Sequence, residues 1–305
     1  MEGEPGERRI GAYTLLGELG RGGMGVVHKA VHRPTRRLCA VKQILPEVAR
    51  DEKSFRLFER EIVIQSRVTH PNLARLLDHG CEQGSCHFVV EYLPGGDAHN
   101  LVTSVCRGPV EIGLALRIGL DLLAGLEALH GHGFVHRDLK PGNVLLSRLP
   151  KEGFGAAKIT DYGLAKSFED AGNSIFDLTR EGEAAGSLMF MPPEQMLNYR
   201  FVRPPADVYA AGATLYFLLT SQFTVDYPGS GPGAGQTGDA GQMRNPVEAL
   251  IEDPPIPILS RRPDLPRSLA AVVDTAVQKE LSQRYDSASV FRQELLAAAR
   301  REGLG

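Results

Sequence analysis

Residues 20–31 read Gly20-Arg21-Gly22-Gly23-Met24-Gly25-Val26-Val27-His28-Lys29-Ala30-Val31, a glycine-rich stretch that runs directly into apolar and β-branched residues. Its G-x-G-x-x-G spacing also occurs in dinucleotide-binding folds. In those folds a helix follows the glycines, and an acidic residue about twenty positions later binds a ribose. Here a predicted strand follows, and the next motif is a cation within apolar residues, Ala40-Val41-Lys42. The stretch therefore predicts a β-hairpin that folds over phosphates, and it argues against a dinucleotide-binding oxidoreductase.

The residues around this hairpin have the pattern of a small β-rich unit with one helix. Between residues 45 and 72, the segment Lys53–Val68 predicts a helix with Phe55, Phe58, Ile62 and Gln65 on one face. It is expected to end before Pro71, because proline disfavours helical geometry in the preceding residue. Short apolar or β-branched runs predict the strands. They are Tyr13–Leu19, Val26–Val31, Leu38–Ile44, Leu73–Asp78 and His87–Tyr92.

After Pro94-Gly95-Gly96 the pattern becomes helical. Apolar residues recur at steps of three and four from Ile112 to Leu129, which predicts a long amphipathic helix. The uncharged run Val208–Val225 contains Gly, Thr, Ser and Gln and has no flanking basic cluster, so a buried helix is favoured over a membrane span. The later predicted helices are Val208–Leu219, Leu269–Leu281 and Val290–Ala299.

Three further motifs are His136-Arg137-Asp138-Leu139-Lys140-Pro141-Gly142-Asn143, Asp161-Tyr162-Gly163 and Met191-Pro192-Pro193-Glu194. Together with the glycine-rich hairpin, and in this order, they resemble the signature set of eukaryotic-like (Hanks-type) Ser/Thr protein kinases, with a bacterial flavour in the glycine-rich stretch. The resemblance covers nearly the whole chain. It implies an α+β, bilobal protein-kinase fold, with a small β-rich N-lobe containing one helix and a larger α-helical C-lobe.

The resemblance also implies a division of the chain into lobes. A tail would occupy residues 1–12, the N-lobe residues 13–93 and the C-lobe residues 94–300. Within the C-lobe, residues 228–241 are rich in Gly and Pro and are expected to form a flexible surface loop. The lobes would use nearly all 305 residues, so a signal is expected to arrive through a partner or the activation loop and not through a sensor domain or membrane anchor.

The implied cofactors are ATP and Mg²⁺, with Mn²⁺ as an alternative ion. Lys42 would bind the α- and β-phosphates of ATP. Glu61 is the favoured partner of Lys42, because Glu59 falls on a different helical face. Asp161 and Asn143 would bind the metal, which prefers hard oxygen ligands.

The implied reaction is phosphoryl transfer from ATP to Ser or Thr hydroxyls of proteins. Asp138 would accept the proton of the hydroxyl as the catalytic base. Lys140 would steady the γ-phosphate, and its place two residues after Asp138 favours Ser/Thr over Tyr as the acceptor. The other implied ATP-binding residues lie in the hairpin, the neighbouring strands and the hinge. They are Leu19, Gly20, Gly22, Gly25, Val27, Ala40, Val90, Glu91, Leu93 and Leu145.

Three residues resemble the structural anchors of the family. Asp207 would stand at the start of a helix, and Arg284 would bridge to Glu194, because a buried acid and base need partners. His136 is interpreted as a packed scaffold of the catalytic loop, residues 136–143, and not as an acid or base.

The activation segment, or activation loop, runs from Asp161 to Glu194 and holds the candidate phosphorylation sites, Thr179 and Ser174. Arg137 is the cation that pairs with a phosphorylated loop residue in such kinases, so we expect autophosphorylation at Thr179. Tyr162 departs from the family pattern by replacing a Phe, and its hydroxyl would need a partner if buried.

The composition of the chain limits its expected partners and cell compartment. The chain has 34 basic and 37 acidic residues, a net charge of −3, which is too balanced for a dedicated nucleic-acid binder. Four cysteines do not make a disulfide framework, so a reducing cytoplasm is expected, with no membrane association. Cys81 and Cys86 flank a predicted hairpin turn, which is favoured over a zinc site. Nothing in the sequence indicates the oligomeric state.

The alternative function is a catalytically weak pseudokinase that acts as a nucleotide-binding scaffold. Such a protein is expected to lack one of the chemical groups of the site. Lys42, Asp138, Asn143 and Asp161 are all present, which favours an active enzyme.

Overall fold

The structure is a computed structural model that describes residues 8–22, 25–82, 85–148, 153–161, 188–197, 202–226 and 246–304. The N-terminal part contains strands β1 (Arg9–Ile10), β2 (Tyr13–Gly22), β3 (Gly25–His32), β4 (Leu38–Ile44), β5 (Leu76–Glu82) and β6 (Ser85–Glu91), and helices α1 (Pro46–Arg50) and α2 (Glu52–Arg67). The strands form one sheet in the order β1-β2-β3-β4-β6-β5, and all neighbours are antiparallel.

The glycine-rich stretch lies at the turn of the β2–β3 hairpin. Gly22 pairs with Gly25, and β3 begins at Gly25 without an intervening helix. A Cβ on Gly25 would lie 2.5 Å from the backbone oxygen of Gln43, so glycine allows β3 to lie close to β4 at this point. The prediction of a hairpin is confirmed, and the helix required by a dinucleotide-binding fold is absent from this described part of the chain.

The two faces of the sheet pack against different groups. Val41 and Val89 pair across β4 and β6 and are buried in an apolar cluster on one face. Because side chains alternate along a strand, Lys42 points to the other face. On that face Phe88, the cross-strand partner of Lys42, packs against Phe58 of α2, with ring centroids 5.3 Å apart. Helix α2 therefore lies on the same side of the sheet as Lys42.

Three details of the N-terminal part differ from the sequence interpretation. A second, short helix precedes α2, and it begins with a proline, whose fixed φ suits the first helical position. Strand β5 begins at Leu76, because Leu73 instead forms an isolated bridge with Ile159. Strand β1 lies within the segment that was interpreted as a tail.

The C-terminal part is mainly helical. In chain order it contains α3 (Ala98–Asn100) with a π-helical turn (Leu101–Cys106), α4 (Ile112–Gly131), a 3₁₀ turn (Pro141–Asn143), strands β7 (Val144–Leu146) and β8 (Ala157–Ile159), α5 (Pro193–Leu197), α6 (Pro204–Thr220), α7 (Pro246–Glu252), α8 (Ile258–Arg261), α9 (Arg267–Ala276), a second 3₁₀ turn (Leu281–Gln283) and α10 (Ala288–Arg301). Strands β7 and β8 form a separate antiparallel pair.

Helix α6 lies at the centre of this part, in contact with α4, α9 and α10. Every residue from Ala206 to Thr220 is buried. A Cβ on Gly212 would lie 2.7 Å from the Cβ of Ala276, so the glycine permits the close approach of α6 and α9. The part of the uncharged run from Val208 to Thr220 is thus a buried helix, as predicted. In the described part of the chain, we find no helix that combines the length and the apolar character of a membrane span.

Helix α9 ends earlier than predicted, at Ala276 and not at Leu281. The next residues leave the helix because their carbonyl groups have another donor. Arg284 donates through Nε to the carbonyl of Gln278 at 2.8 Å and through a terminal nitrogen to that of Lys279 at 3.1 Å.

The two parts of the chain are joined through a glycine pair. Gly95 N donates to Leu146 O at 2.9 Å, and Leu146 N donates to Gly96 O at 2.8 Å. A Cβ on Gly95 would collide with the backbone oxygen of Arg148, and Gly96 has a φ of +73°. The Pro-Gly-Gly sequence therefore allows β7 to lie directly against the linker.

Cys81 and Cys86 form a disulfide across the β5–β6 hairpin. The hairpin was predicted, but the expectation of reduced thiols is wrong at these two positions, because the strand register places the residues directly opposite each other. Cys39 and Cys106 are free.

Candidate active site

Lys42 is held by carboxylates from two different elements. Its Nζ donates to Asp161 Oδ1 at 2.7 Å, to Glu61 Oε2 at 3.2 Å and to Glu61 Oε1 at 3.4 Å. Lys42 is on β4, Glu61 is on α2, and Asp161 lies two residues after the end of β8. Glu61 is fully buried while Glu59 is exposed, since residues two positions apart point to different sides of a helix.

The three groups shift one another's pKa values. Burial raises the pKa of Glu61 to about 7, although Lys42 opposes the rise. Burial would lower the pKa of Lys42, but the carboxylates of Asp161 and Glu61 outweigh it and raise that pKa above its ordinary value. Burial would raise the pKa of Asp161, but neighbouring Lys42 holds it below its ordinary value. At neutral pH, Lys42 is therefore a cation and Asp161 an anion.

Asp138, Lys140 and Asn143 form a second polar group. Lys140 Nζ donates to Asp138 Oδ2 at 3.1 Å. Asn143 Nδ2 donates to the backbone oxygen of Asp138 at 2.7 Å and to its Oδ2 at 3.2 Å, because the 3₁₀ turn brings Asn143 back over Asp138. The nitrogen of Asn143 faces Asp138, so its side-chain oxygen is the atom left for a cation.

Thr160 connects the two groups. Its N–H donates to the backbone oxygen of Asn143 at 2.9 Å, and its carbonyl oxygen accepts from His136 Nε2 at 3.1 Å. His136 is fully buried, and its Nδ1 accepts from the N–H of Asp138 at 3.2 Å. Asp161 follows Thr160 directly, so these contacts fix its position relative to the catalytic loop. His136 serves here as a buried scaffold.

Two non-glycine residues of the site have left-handed backbone conformations, Arg137 with a φ of 69° and Asp161 with a φ of 56°. Such conformations are unfavourable and persist only where surrounding contacts impose them. At Arg137 these contacts are identified. Its N–H donates to Asp207 Oδ1 at 2.9 Å, and its carbonyl accepts from Gln195 Nε2 at 2.6 Å.

Asp207, near the start of α6, holds the backbone of the catalytic loop through hydrogen bonds. Its carboxylate also accepts from the N–H of His136 at 2.8 Å and from His130 Nε2 at 2.7 Å. Burial alone would raise the pKa of Asp207, but the hydrogen bond and charge of His130, together with the backbone donors, hold it below its ordinary value. The sequence placed Asp207 correctly at a helix start but did not indicate His130 as a partner.

Arg284 and Glu194 form a second anchor. Two guanidinium nitrogens of Arg284 donate to the carboxylate of Glu194 at 2.7 and 3.3 Å, and the arginine side chain is fully buried. Arg284 also donates to the backbone oxygen of Pro205 at 2.9 Å. The pair therefore connects α5 to the first turn of α6.

Comparison with known proteins agrees with this geometry. A family model described as "Protein kinase domain" matches residues 13–296. The chain belongs to the protein kinase family. It is 31% identical over 292 residues to "Serine/threonine-protein kinase pkn3" of Myxococcus xanthus, with 93% of this chain and 49% of that protein covered. It is 33% identical over 305 residues to "Serine/threonine-protein kinase PknK" of Mycobacterium tuberculosis, with 98% and 25% covered.

These bacterial relatives support the resemblance to Hanks-type kinases that the motifs indicated, and the chain spans half or less of their length. The crystal structure of the Mycobacterium tuberculosis PknI kinase domain matches with a TM-score of 0.68 and 22% identity, over 97% of this chain and 100% of that domain. At this identity the likeness concerns the fold, and it confirms the bilobal protein-kinase fold.

The residues that the kinase resemblance assigns to ATP lie on neighbouring strands and on the hinge. Ala40 is opposite Val90, and Val27 is opposite Lys42, so these side chains share one region of the sheet. Leu19, Gly20 and Gly22 are on β2, Gly25 is on β3, Glu91 ends β6, Leu93 follows it, and Leu145 is on β7.

The side chain of Glu91 is used within the kinase fold itself. Its Oε1 accepts from Lys158 Nζ at 2.7 Å and from the N–H of Arg75 at 2.9 Å. The resemblance implies that Glu91 contributes to the hinge through backbone groups, and the contacts described here involve only its carboxylate.

Several predicted features lie outside the described residues. They are Tyr162, the candidate phosphorylation sites Thr179 and Ser174, and residues 228–241.

Besides the contact of His130 with Asp207, sequence reasoning missed two further features near the kinase site. Gln65 was assigned only to an apolar helix face, yet it hydrogen-bonds to Glu61, and the i to i+4 spacing was the available signal. Arg60, Arg137 and Arg203 line a cavity of about 240 Å³. Arg60 and Arg203 belong to no motif, so no local sequence signal could have placed them beside Arg137.

Proposed function

We propose that the chain is an ATP-dependent protein serine/threonine kinase. It transfers the γ-phosphoryl group of ATP to Ser or Thr hydroxyls of protein substrates. The observation that carries the proposal is the connection through Thr160, which joins the group around Asp138 to the Lys42–Asp161 pair. The relatives named serine/threonine-protein kinases support this choice of acceptor.

Lys42 is the proposed cation for the phosphates of ATP. Phosphoryl transfer depends mainly on charge neutralisation and alignment. Glu61 and Asp161 hold the Nζ of Lys42 from two elements, and Val27 of the hairpin lies directly opposite on β3. The hairpin backbone and Lys42 would therefore contact the same phosphates.

The proposed metal site consists of Asp161 and Asn143. Both residues offer side-chain oxygen atoms, the donor type that Mg²⁺ prefers, so the residues present fit this ion. When bound, the ion would neutralise charge on the phosphates of ATP. We propose Mg²⁺ as the physiological ion, with Mn²⁺ as a substitute.

Asp138 is the proposed catalytic base. The hydroxyl oxygen of the substrate would attack the γ-phosphorus as the bond to the β-phosphate oxygen breaks, and the hydroxyl proton would pass to the Asp138 carboxylate. Lys140 lies 3.1 Å from that carboxylate, where its charge would stabilise the γ-phosphate during transfer.

The proposal is tested with radiolabelled ATP. The protein is incubated with γ-labelled ATP, Mg²⁺ or Mn²⁺, and a generic protein acceptor. Incorporation is expected for the wild type and is expected to be abolished in Asp138→Ala. The matched control is Asp264→Ala, whose carboxylate is 70% exposed, and it should keep full activity. No incorporation with either ion would contradict the proposal and favour a pseudokinase.

We also propose that the kinase is regulated by autophosphorylation of its activation loop, at Thr179 or secondarily at Ser174. The support is the cavity lined by Arg60, Arg137 and Arg203, since clustered arginines bind phosphate groups. Thr179→Ala should lower specific activity, and mass spectrometry should find the phosphate on Thr179 in the wild type. Unchanged specific activity in Thr179→Ala would count against this regulation.

The lobe boundaries near residues 93 and 300, the cytoplasmic location, and the absence of nucleic-acid and membrane partners are further parts of the proposal. The balanced charge supports the absence of nucleic-acid partners. Cell fractionation of the native protein tests the location directly.

A further inference from the structure

Gln65 is a buried polar residue that none of these roles uses. It is 4% exposed and lies on α2, about one turn after Glu61. Its Nε2 donates to Glu61 Oε1 at 3.2 Å. In the structure the amide nitrogen faces Glu61 and the amide oxygen faces away, which is the orientation that an ionised carboxylate, an acceptor only, requires.

The orientation leaves that amide oxygen without a hydrogen-bond partner among the described residues. A buried acceptor without a partner destabilises a fold, and an apolar side chain of the same length would avoid this penalty. Phe58, on the same face of α2, is apolar and buried. Packing alone therefore gives no reason for an amide at position 65, whereas the contact of its nitrogen with Glu61 does.

Gln65 provides Glu61 with a hydrogen-bond donor in addition to Lys42. Lys42 is shared between two carboxylates and lies closer to Asp161, at 2.7 Å, than to Glu61, at 3.2 Å. Gln65 supplies Glu61 with a second donor from the same helix. This donor is neutral, so it orients the carboxylate without adding a charge that would compete with Lys42 for the phosphates.

We propose that Gln65 is a positioning residue for ATP binding: its amide orients Glu61, and Glu61 holds Lys42 at the phosphates. The inference rests on the proposed kinase function and concerns its nucleotide side only. The expected signature is a change in ATP affinity without a change in the KM for the protein acceptor.

The first experiment compares Gln65→Met and Gln65→Glu with the wild type. Methionine keeps the length and helix propensity of glutamine but lacks the donor. Binding of a non-hydrolysable ATP analogue with Mg²⁺, measured by calorimetry, should weaken about tenfold in Gln65→Met. It should weaken further in Gln65→Glu, which sets a second carboxylate beside Glu61. Gln293→Met, on the exposed side of α10, is the control and should bind like the wild type.

The second experiment repeats Gln65→Met in the Glu61→Ala background. If Gln65 acts through Glu61, the substitution should have no further effect on affinity there. Equal weakening in both backgrounds, or wild-type affinity of Gln65→Met or Gln65→Glu, would overturn the inference. These results contradict only the role of Gln65, provided that the wild type binds the analogue and transfers phosphate. A wild type that does neither contradicts the proposed kinase function itself.

Discussion

Two buried carboxylates hold the two halves of the site, and their pKa values are shifted in opposite directions. Asp207, in the C-lobe, accepts hydrogen bonds from His130 and from two backbone N–H groups, and these donors keep its pKa low despite burial. Glu61, in the N-lobe, shares Lys42 with Asp161, and burial raises its pKa to about 7. A lowered carboxyl pKa means that the ionised group stabilises the folded state, and a raised pKa means that it destabilises it.

The difference separates a structural from a functional use of the same chemical group. Asp207 fixes a backbone, and the left-handed conformation of Arg137 depends on it. Glu61 positions the side chain of Lys42, whose proposed role is to bind a ligand. In the protein without ATP, the burial of ionised Glu61 therefore destabilises the folded state. Substitutions of the two residues should therefore change stability with opposite signs.

The largest expected effect is that of Asp207→Ala. Removing the carboxylate leaves a buried and a part-buried backbone N–H group and the ring of His130 without their acceptor. The unfolding free energy, measured by chemical denaturation at pH 7, should fall by about 3–5 kcal/mol. Because the pKa of Asp207 is below its ordinary value of 3.8, its stabilisation is present above that pH and is lost as the pH falls through the folded-state pKa.

The control for this experiment is Asp226→Ala. Asp226 also accepts a hydrogen bond, from the side chain of Arg261, but its own side chain is 74% exposed, so stability should change by less than about 0.5 kcal/mol. A loss under about 1 kcal/mol for Asp207→Ala would show that the catalytic loop is held by other contacts.

The contrast between the two halves also explains which parts of the site the sequence revealed. Helical geometry separated Glu61 from Glu59 as the partner of Lys42 that the resemblance implied, and the predicted strand after Gly25 helped to distinguish a phosphate-binding hairpin from a dinucleotide-binding turn. These are local patterns, in which the period of the helix or strand decides where a side chain points.

The features that sequence reasoning missed depend on contacts between distant segments or on exact register. Helix α9 ends at Ala276 because Arg284, eight residues later, supplies donors to the intervening carbonyls. The disulfide between Cys81 and Cys86 depends on the pairing of β5 with β6 directly opposite each other, which a hairpin of one residue more would have changed. Periodicity carries neither kind of information.

A smaller effect is expected for the disulfide, and it should be confined to the N-lobe half. The bond closes a loop with a sequence separation of only 5. For so short a loop, the chain-entropy model gives a stabilisation of about 2 kcal/mol. Reduction with dithiothreitol, or the double substitution Cys81→Ser/Cys86→Ser, should lower the unfolding free energy by this amount.

Hydrogen exchange locates this effect. Cys86 packs with Phe58 of α2, so reduction should increase amide exchange in β5, β6 and α2 and leave the loop around Asp207 unchanged. The double-serine variant should not respond to the reductant. Equal increases in both halves would mean that the two lobes unfold as one unit. That result would contradict an effect of the disulfide confined to the N-lobe.

The smallest expected effect, and the one of opposite sign, is that of Glu61→Gln. The neutral amide keeps the shape of the side chain and removes a buried charge, while Lys42 keeps Asp161 as its partner at 2.7 Å. Because the raised pKa means that ionised Glu61 destabilises the folded state, the unfolding free energy of the protein without nucleotide and metal should rise by about 1 kcal/mol at pH 8. The same substitution should weaken binding of the ATP analogue, because Lys42 loses one of the carboxylates that hold it.

The pH dependence provides the sharper test. Glu61 has a pKa of about 7 in the folded protein against an ordinary value of 4.5, so the folded state binds the extra proton between these values. Its contribution to wild-type stability therefore falls as the pH rises from about 4.5 to 7, and the advantage of Glu61→Gln should be present at pH 8 and vanish near pH 5. Glu59→Gln, on the exposed side of the same helix, should change neither stability nor affinity. If Glu61→Gln unfolds more easily than the wild type at pH 8, Glu61 is a structural anchor like Asp207. Ionised Glu61 would then stabilise the folded state and not destabilise it.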